Sequence, residues 1–243
     1  MKQEISSNEL ISVVIPAYNE EKAIKKCLNS LVRQKTKFRF EVIVVDNNSS
    51  DNTVAVAKEF KNNLILKIVK EKIQGRGAAR YAGFEAAKGT IIFTTDADTI
   101  LPSDWIERYI ESFQDPRVIA VTSPFKITDS RNNRILQCIN MPSIELYNLF
   151  FGHYWLNGYS FAIRKDAYIA SGKLNKNLNA LDDFEISQRV HKLGKIKYVR
   201  DIYAVTSSRR YDQKGILRGA FCYVKPCLEL KFGISRISID DVR

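Results

Sequence analysis

The first hundred residues alternate between strand-like and helix-like runs, and that rhythm restricts the fold more than composition does. "LISVVIP" (Leu10 to Pro16) is an apolar run of strand length. "NEEKAIKKCLNSLVRQ" follows, with Ala23, Ile24, Cys27, Leu28, Leu31 and Val32 on one helical face. Asn19 is the expected N-cap, with Glu20 and Glu21 in the first turn. "FEVIVVD" (Phe40 to Asp46) reads as a second strand, and "SDNTVAVAKEF" opens a second helix capped at Ser50 or Asp51. "LILKIVK" is a third strand, "GRGAARYAGFEAAKG" a third helix ending at Gly89, and "TIIFTTD" a fourth strand. The expected class is therefore α/β, a Rossmann-like, mostly parallel sheet flanked by helices. Ligands of such sheets sit beyond the C-terminal ends of the strands.

Polar groups gather at those ends. Strand one runs into Pro16-Ala17-Tyr18-Asn19-Glu20, strand two into Asp46-Asn47-Asn48-Ser49, the third unit into Gly75-Arg76-Gly77, and strand four into Asp96-Ala97-Asp98. A dinucleotide fingerprint is absent, because PAYNEE follows strand one and GRGAAR has arginine in place of the third glycine; no Walker A loop occurs either. If extended geometry persists past the fourth strand, Asp96 and Asp98 face the same way. Such oxygens suit hard Mn2+ or Mg2+, completed by phosphate and water. The plain alternative is a helix cap or an Asx-turn before Pro102. Asp46 suits a base imide or a ribose hydroxyl, or a simple turn. Arg76 and Arg80 suit phosphate or base, although exposed helix arginines are commoner.

The second half is less regular. "PSDWIERYIESF" reads as a helix, "RVIAVTSPF" as a strand, Gly158 to Gly172 as a strand and a short helix, and "KIKYVRD" as a strand. "LDDFEISQRVHKLG" is amphipathic, with Phe184, Ile186, Val190 and Leu193 apolar; Asp182 and Asp183 at its start would ordinarily be read as caps. Residues 127 to 157 show no clear period. Their aromatics and those beside them (Phe125, Tyr147, Phe150, Phe151, Tyr154, Trp155) either stack on a sugar or, more commonly, pack a core. The net charge is +11, and from Arg189 onward 13 Lys/Arg stand against 5 Asp/Glu, which points to a polyanionic partner or a solvated basic face. Four scattered cysteines and two histidines argue against a zinc site and suit a reducing cytoplasm. The polar N-terminus lacks a signal-peptide core, and no run of about 18 apolar residues predicts a spanning helix.

Four blocks occur in the order seen in glycosyltransferase family 2: "VVIPAYNEE", "VIVVDNNSSDNT", "GRGAARYAGFEAAKGTIIFTTDAD" and "LDDFEISQRVHKLGKIKYVRD". Residues 11 to 205 thus resemble its GT-A fold, with a mixed acceptor-side half. The resemblance implies that Pro16, Ala17, Tyr18, Glu20, Asp46, Asn48, Arg76, Gly77 and Arg80 cradle a nucleotide-sugar donor. It implies that Asp96, Ala97 and Asp98 form a DxD site, with Asp96 and Asp98 on Mn2+ or Mg2+. The segment Asp182 to Glu185 is similar to the family's EDxE signature, which makes Asp183 the expected catalytic base and puts Gly158, Asp182 and Trp155 on the acceptor side.

The reaction implied is inverting and nonprocessive, from a UDP-sugar by preference, to a saccharide or lipid-linked hydroxyl. The chain departs from many relatives in lacking a histidine in "AVTSSRRYDQKG", where Arg209 and Arg210 are expected to balance diphosphate charge instead; QxxRW is also missing. The expected layout is a GT-A domain over 1–206, with a nucleotide half at about 10–102 and an acceptor half at about 103–206. A basic amphipathic segment over 207–243 would pack on the domain or touch an anionic membrane, placing the enzyme in the cytoplasm, peripheral to the inner face of the membrane. The rivals are a nucleotidyltransferase and a noncatalytic nucleic-acid binder. No RRM, KH or zinc-finger signature supports the second, so no nucleic-acid partner is expected.

Overall fold

The computed structural model describes residues 5–6, 9–127 and 144–206. The expectations for 207–243, Arg209 and Arg210 included, lie outside the described residues.

Four strands, β1 (Leu10–Ala17), β2 (Arg39–Asp46), β3 (Ile65–Lys70) and β4 (Ile91–Thr94), are linked by α1 (Ile24–Val32), α2 (Thr53–Lys58) with a 3-10 turn, and α3 (Arg76–Ala86). They continue into α4 (Trp105–Ser112), β5 (Val118–Thr122) and β6 (Phe125–Ile127). Then come a helix α5 over 144–151, β7 (Phe161–Arg164), α6 (Lys165–Ala170), α7 (Asp182–Val190), β8 (Lys195–Tyr198) and β9 (Ala204–Thr206). One sheet runs through both halves in the order β3-β2-β1-β4-β7-β5-β8. Within it β7 lies antiparallel between β4 and β5, and the other pairs are parallel. A small parallel pair, β6 with β9, lies beside it.

The apolar runs are continuous because both faces of the sheet are covered. Ile11, Val13 and Ile15 of β1 join Leu28, Leu31, Trp105 and Tyr109 in one layer. Val14 faces the other way, with Ile43, Val45, Phe84, Ile186 and Val190. Each such side chain contributes about 1.5–3 kcal/mol by leaving water. Pro16 lacks an N–H, yet it lies beyond the last β1–β4 pair, Val14 with Thr94, where that ladder has already ended.

Several boundaries differ from the sequence reading. Asn19 is not a cap: its backbone is left-handed (φ 52), α1 starts only after Ala23, and Asn19 Oδ1 accepts the Ser50 N–H at 2.8 Å. The N-cap of α2 is Asn52, while Asp51 takes the Thr53 N–H at 2.9 Å from outside the helix. α3 ends at Ala86, short of Gly89. Leu193 and Val32, expected on buried faces, are 49% and 40% exposed, because α7 ends at Val190 and Val32 is the last residue of α1. β4 stops two residues before Asp96, where the Thr99 N–H turns back to the Asp96 carbonyl at 3.1 Å. A turn therefore carries Asp96 and Asp98, and strand alternation does not orient them.

Candidate active site

The C-terminal ends of β1, β2 and β4 meet at one edge, and each is fixed by its neighbours. Ala17 pairs with Asp46 across the ladder. Asp46 is buried, and its Oδ1 accepts the Ser49 N–H at 3.0 Å, which curls the chain past the strand end. The Glu20 N–H donates to Thr53 Oγ1 at 2.7 Å, drawing the first loop onto α2. Tyr18 is half-buried beside them. Asn48 is exposed with φ 64 and donates to the Lys72 carbonyl at 2.7 Å.

The sequence reading gave Asn47 no role beyond a turn. The structure buries it and uses every polar atom of its amide. Its Nδ2 donates to the Glu71 and Ile73 carbonyls at 3.0 and 2.7 Å, and its Oδ1 accepts the Gly75 N–H at 2.9 Å. One side chain thus stitches the end of β2 to the loop that launches α3. Gly75 (φ 144) and Gly77 then admit the 175–179 loop: the Gly77 N–H donates to the Leu178 carbonyl at 3.1 Å, and a Cβ on Gly77 would lie 2.2 Å from that oxygen. Arg76 stands half-buried between these glycines.

Cys27 reports on the carboxylates at this edge. Its Sγ lies 3.6 Å from the Asp96 carbonyl. Burial pushes the thiol well up, and the charges of Asp98, Asp96 and Glu20 push it further. The charges of three acids are therefore felt at one buried thiol. Ala97 is buried between two half-exposed aspartates.

Arg80 joins this edge to the other half. Sequence reasoning treated it as a phosphate or base ligand, or as an exposed helix residue. Instead it is 0% exposed, with Nη1 donating to Asp182 Oδ2 and Nη2 to Asp96 Oδ1 at 3.2 Å. Asp182, expected on the acceptor side, is likewise turned inward at 1% exposure. Gly158 packs against this pair, and a Cβ there would sit 2.4 Å from Arg80 Nη2 and 2.9 Å from Asp183 Oδ2.

Asp183 differs from its neighbour. It is half-exposed, its Oδ2 accepts the Gly158 N–H at 2.8 Å, and its Oδ1 accepts the Phe184 N–H at 2.7 Å. Burial and then repulsion from Asp182 hold its carboxyl above the ordinary range, while Arg80 and the Gly158 N–H pull it back. The preceding Leu181 sits in the left-handed region (φ 60), a costly conformation for a branched side chain, and this sets the entry of α7. Beside it, Phe184 packs with Tyr147, Phe151 and Trp155, so the half-buried Trp155 belongs to an aromatic cluster one residue from Asp183.

This arrangement can present a proton acceptor at the start of α7 and carboxylate oxygens in the turn after β4. Comparison with known sequences decides the family. A profile described as Glycosyl transferase family 2 matches residues 12–171, well over half of the chain. The chain belongs to glycosyltransferase family 2.

Among other members, Glycosyltransferase AglE of Haloferax volcanii is 38% identical over 111 residues, covering 44% of this chain and 36% of that protein. Probable glycosyltransferase YdaM of Bacillus subtilis is 30% identical over 199 residues, covering 76% and 47%. The chain thus spans less than half the length of either relative. Solved structures agree on the GT-A fold. S. aureus TarS with UDP-GlcNAc superposes with a TM-score of 0.68 at 21% identity, covering 90% of this chain and 64% of that one. Glucosyl-3-phosphoglycerate synthase of Mycobacterium tuberculosis with Mn2+, UDP and phosphoglyceric acid gives 0.69 at 20%, covering 94% and 80%. Mannosyltransferase PcManGT of Pyrobaculum calidifontis with GDP-Man and Mn2+ gives 0.67 at 20%, covering 92% and 69%.

Within this family 2 chain, no three His, Cys, Asp or Glu side chains converge as a closed metal site among the described residues. Asp96 and Asp98 provide an oxygen-only, two-residue donor set, and Arg80 already engages one Asp96 oxygen. Such a set fits a hard cation whose other ligands come from a diphosphate and water. No helix among the described residues is long and apolar enough to cross a membrane.

Proposed function

We propose that this chain is a metal-dependent, inverting, nonprocessive glycosyltransferase that moves a sugar from a nucleotide-diphosphate donor, by preference a UDP-sugar, to a hydroxyl acceptor. The observation that carries the reading is the Asp183 carboxylate. It is aimed by two backbone N–H groups, pushed toward neutral by its surroundings, and linked through Asp182 and Arg80 to Asp96. The acceptor oxygen attacks the sugar C1 as its proton passes to an Asp183 oxygen. The C1–O bond to the diphosphate breaks on the opposite face, and the electron pair leaves with the diphosphate. A raised carboxyl suits this role, since a general base works best with a pKa near the working pH.

Asp46, Tyr18 and the first loop line the space for the nucleoside, and Asp96 with Asp98 would hold Mn2+ or Mg2+. When bound, such an ion supplies neutralisation of the leaving diphosphate. The Mn2+-bound structural relatives support the metal, and the UDP and UDP-GlcNAc complexes support the donor. The nucleotidyltransferase alternative leaves Asp183 without a task.

Thermal-shift titration with UDP tests the donor site. UDP is expected to raise Tm, more so with Mn2+, and Asp98→Ala should abolish the metal-dependent part. Equal nucleotide affinity with and without chelator would remove the metal from the reading. Asp183→Asn is expected to keep UDP binding and lose about 10²-fold or more in transfer, the scale of general base catalysis. Saccharide and lipid-linked saccharide acceptors are the two classes to assay.

A further inference from the structure

Arg80 and Asp182 are buried, face each other, and come from opposite halves of the chain. Two features set them apart from an ordinary structural pair. Neither Arg80 Nε nor Asp182 Oδ1 meets a hydrogen-bond partner among the described residues, so the pair is incompletely satisfied where satisfaction matters most. The guanidinium also divides its two outer nitrogens between acids of different elements, Asp182 at the start of α7 and Asp96 in the turn after β4. A pair built for stability alone would be better replaced by apolar side chains of similar volume. Space is also reserved for it, because any side chain at Gly158 would strike the guanidinium.

On the glycosyltransferase reading, we propose that Arg80 is a positioning residue: a buried strut that fixes the base-bearing end of α7 relative to the donor-side turn. Asp182 is its anchor on α7, not an acceptor ligand. With Asp182 held, the next residue has little freedom. Leu181 is already left-handed, and Asp183 Oδ2 stays on the Gly158 N–H. Asp96, held by the other nitrogen, keeps its direction toward the diphosphate space. The strut thus sets the distance between the proton acceptor and the departing phosphate. Only a planar fork spans two acids in this way, so lysine is not an equivalent.

The experiment compares three variants with the unmodified chain. Arg80→Lys keeps the charge and removes the fork. Asp182→Asn leaves the buried guanidinium with Asp96 alone. Arg80→Met with Asp182→Asn leaves no unpaired buried charge and restores stability. The strut predicts that this double variant regains the unmodified Tm, binds UDP within a few-fold, and still loses roughly 10²-fold in kcat with KM for donor little changed, the loss typical of a misplacement of about 1 Å. Arg80→Lys should show the same split. Amide exchange at Gly158 reads the placement without any substrate: its protection should fall in both variants while the β1 and β2 amides keep theirs. If the double variant is as stable as the unmodified chain, transfers at its rate and keeps Gly158 protected, the strut is wrong and Arg80 is a packing element only. If the unmodified chain transfers no sugar at all, the glycosyltransferase reading fails. In that case unchanged Gly158 protection would still overturn the strut, and lost protection would support it.

Discussion

The N-terminal half, proposed to hold the donor, and the C-terminal half, proposed to face the acceptor, hold their polar groups by different means. At the ends of β1 and β2, each loop is fixed by hydrogen bonds between side chains and the backbone rather than by ion pairs, as Asn47 does for Glu71, Ile73 and Gly75 and Asp46 does for Ser49. Several of those groups lie where water can replace a lost partner. At the start of α7 the work falls to a buried ion pair, a left-handed leucine and an aromatic cluster. Parallel strands deliver side chains to an edge with little help. An irregular loop such as 171–181 needs a strong internal tie to place one carboxylate. Single substitutions should therefore cost more on the acceptor side, and the difference is measurable.

The largest expected effect is Asp182→Asn. Removing Asp182 leaves the buried guanidinium with only the half-exposed Asp96 as counter-charge, at the low end of the about 3–5 kcal/mol that breaking a buried pair costs. At about 2–4 °C per kcal/mol for a chain of this size, Tm should fall by roughly 10 °C. Denaturation followed by circular dichroism checks it, and a loss under about 1 kcal/mol would mean that the pair behaves as a solvated surface bridge. On the donor side, Asn47→Ala should cost about 1–3 kcal/mol, because the Gly75 N–H is the one fully buried group it strands. A larger loss than for Asp182→Asn would reverse the comparison. UDP affinity should also fall in Asn47→Ala, since the loop leading to Arg76 is no longer tied to β2.

The same contrast explains what could be read from the sequence. Strands β1, β2 and β4 are mostly apolar on both faces and bounded by polar residues, and the edge strand β3 keeps a short β-branched run between lysines. Pattern alone therefore located all four and the sheet edge that carries Asp46, Asp96 and Asp98. Asp183 was legible only through its resemblance to the family, because a carboxylate at a helix start ordinarily means a cap. The burial of Arg80 went unread, although a signal was present. Gly77, Gly83 and Phe84 lie three or four residues from it, on the buried stripe of α3. An arginine on a stripe of small and apolar residues must carry a buried partner with it. That the partner is Asp182, 102 residues further on, is tertiary information. Residues 144–157 lack a period because α5 contributes one aromatic face to a local cluster and leaves Leu146, Leu149 and Phe150 exposed.

The smallest effect is the most discriminating, because two readings of Asp183 predict opposite signs. The sequence reads Asp183 as a cap, but the N-cap of α7 is Leu181 and Asp183 lies in the first turn. As a first-turn acid its charge would interact favourably with the helix start, and Asp183→Asn would lower Tm. As a base held against burial and Asp182, its charged form is disfavoured by folding. Its carboxyl titrates higher in the folded chain than in the unfolded one, so the folded state binds the proton more readily. Stability then falls as pH rises from the unfolded pKa through the folded one, and the penalty is complete above the folded value. Asparagine carries no such penalty, and its one carbonyl oxygen can still accept the Gly158 N–H; the loss of the Phe184 N–H bond keeps the gain small. Asp183→Asn should therefore raise Tm slightly at neutral pH, and the advantage should vanish below the unfolded carboxyl range. Transfer should follow the same group in the other direction, declining as pH drops through the raised pKa because the base is then protonated. Melting curves of both proteins across pH 3 to 8, about the span over which a perturbed carboxyl titrates, decide between the readings. A Tm that falls on substitution at every pH would make Asp183 a first-turn acid that stabilises the helix start.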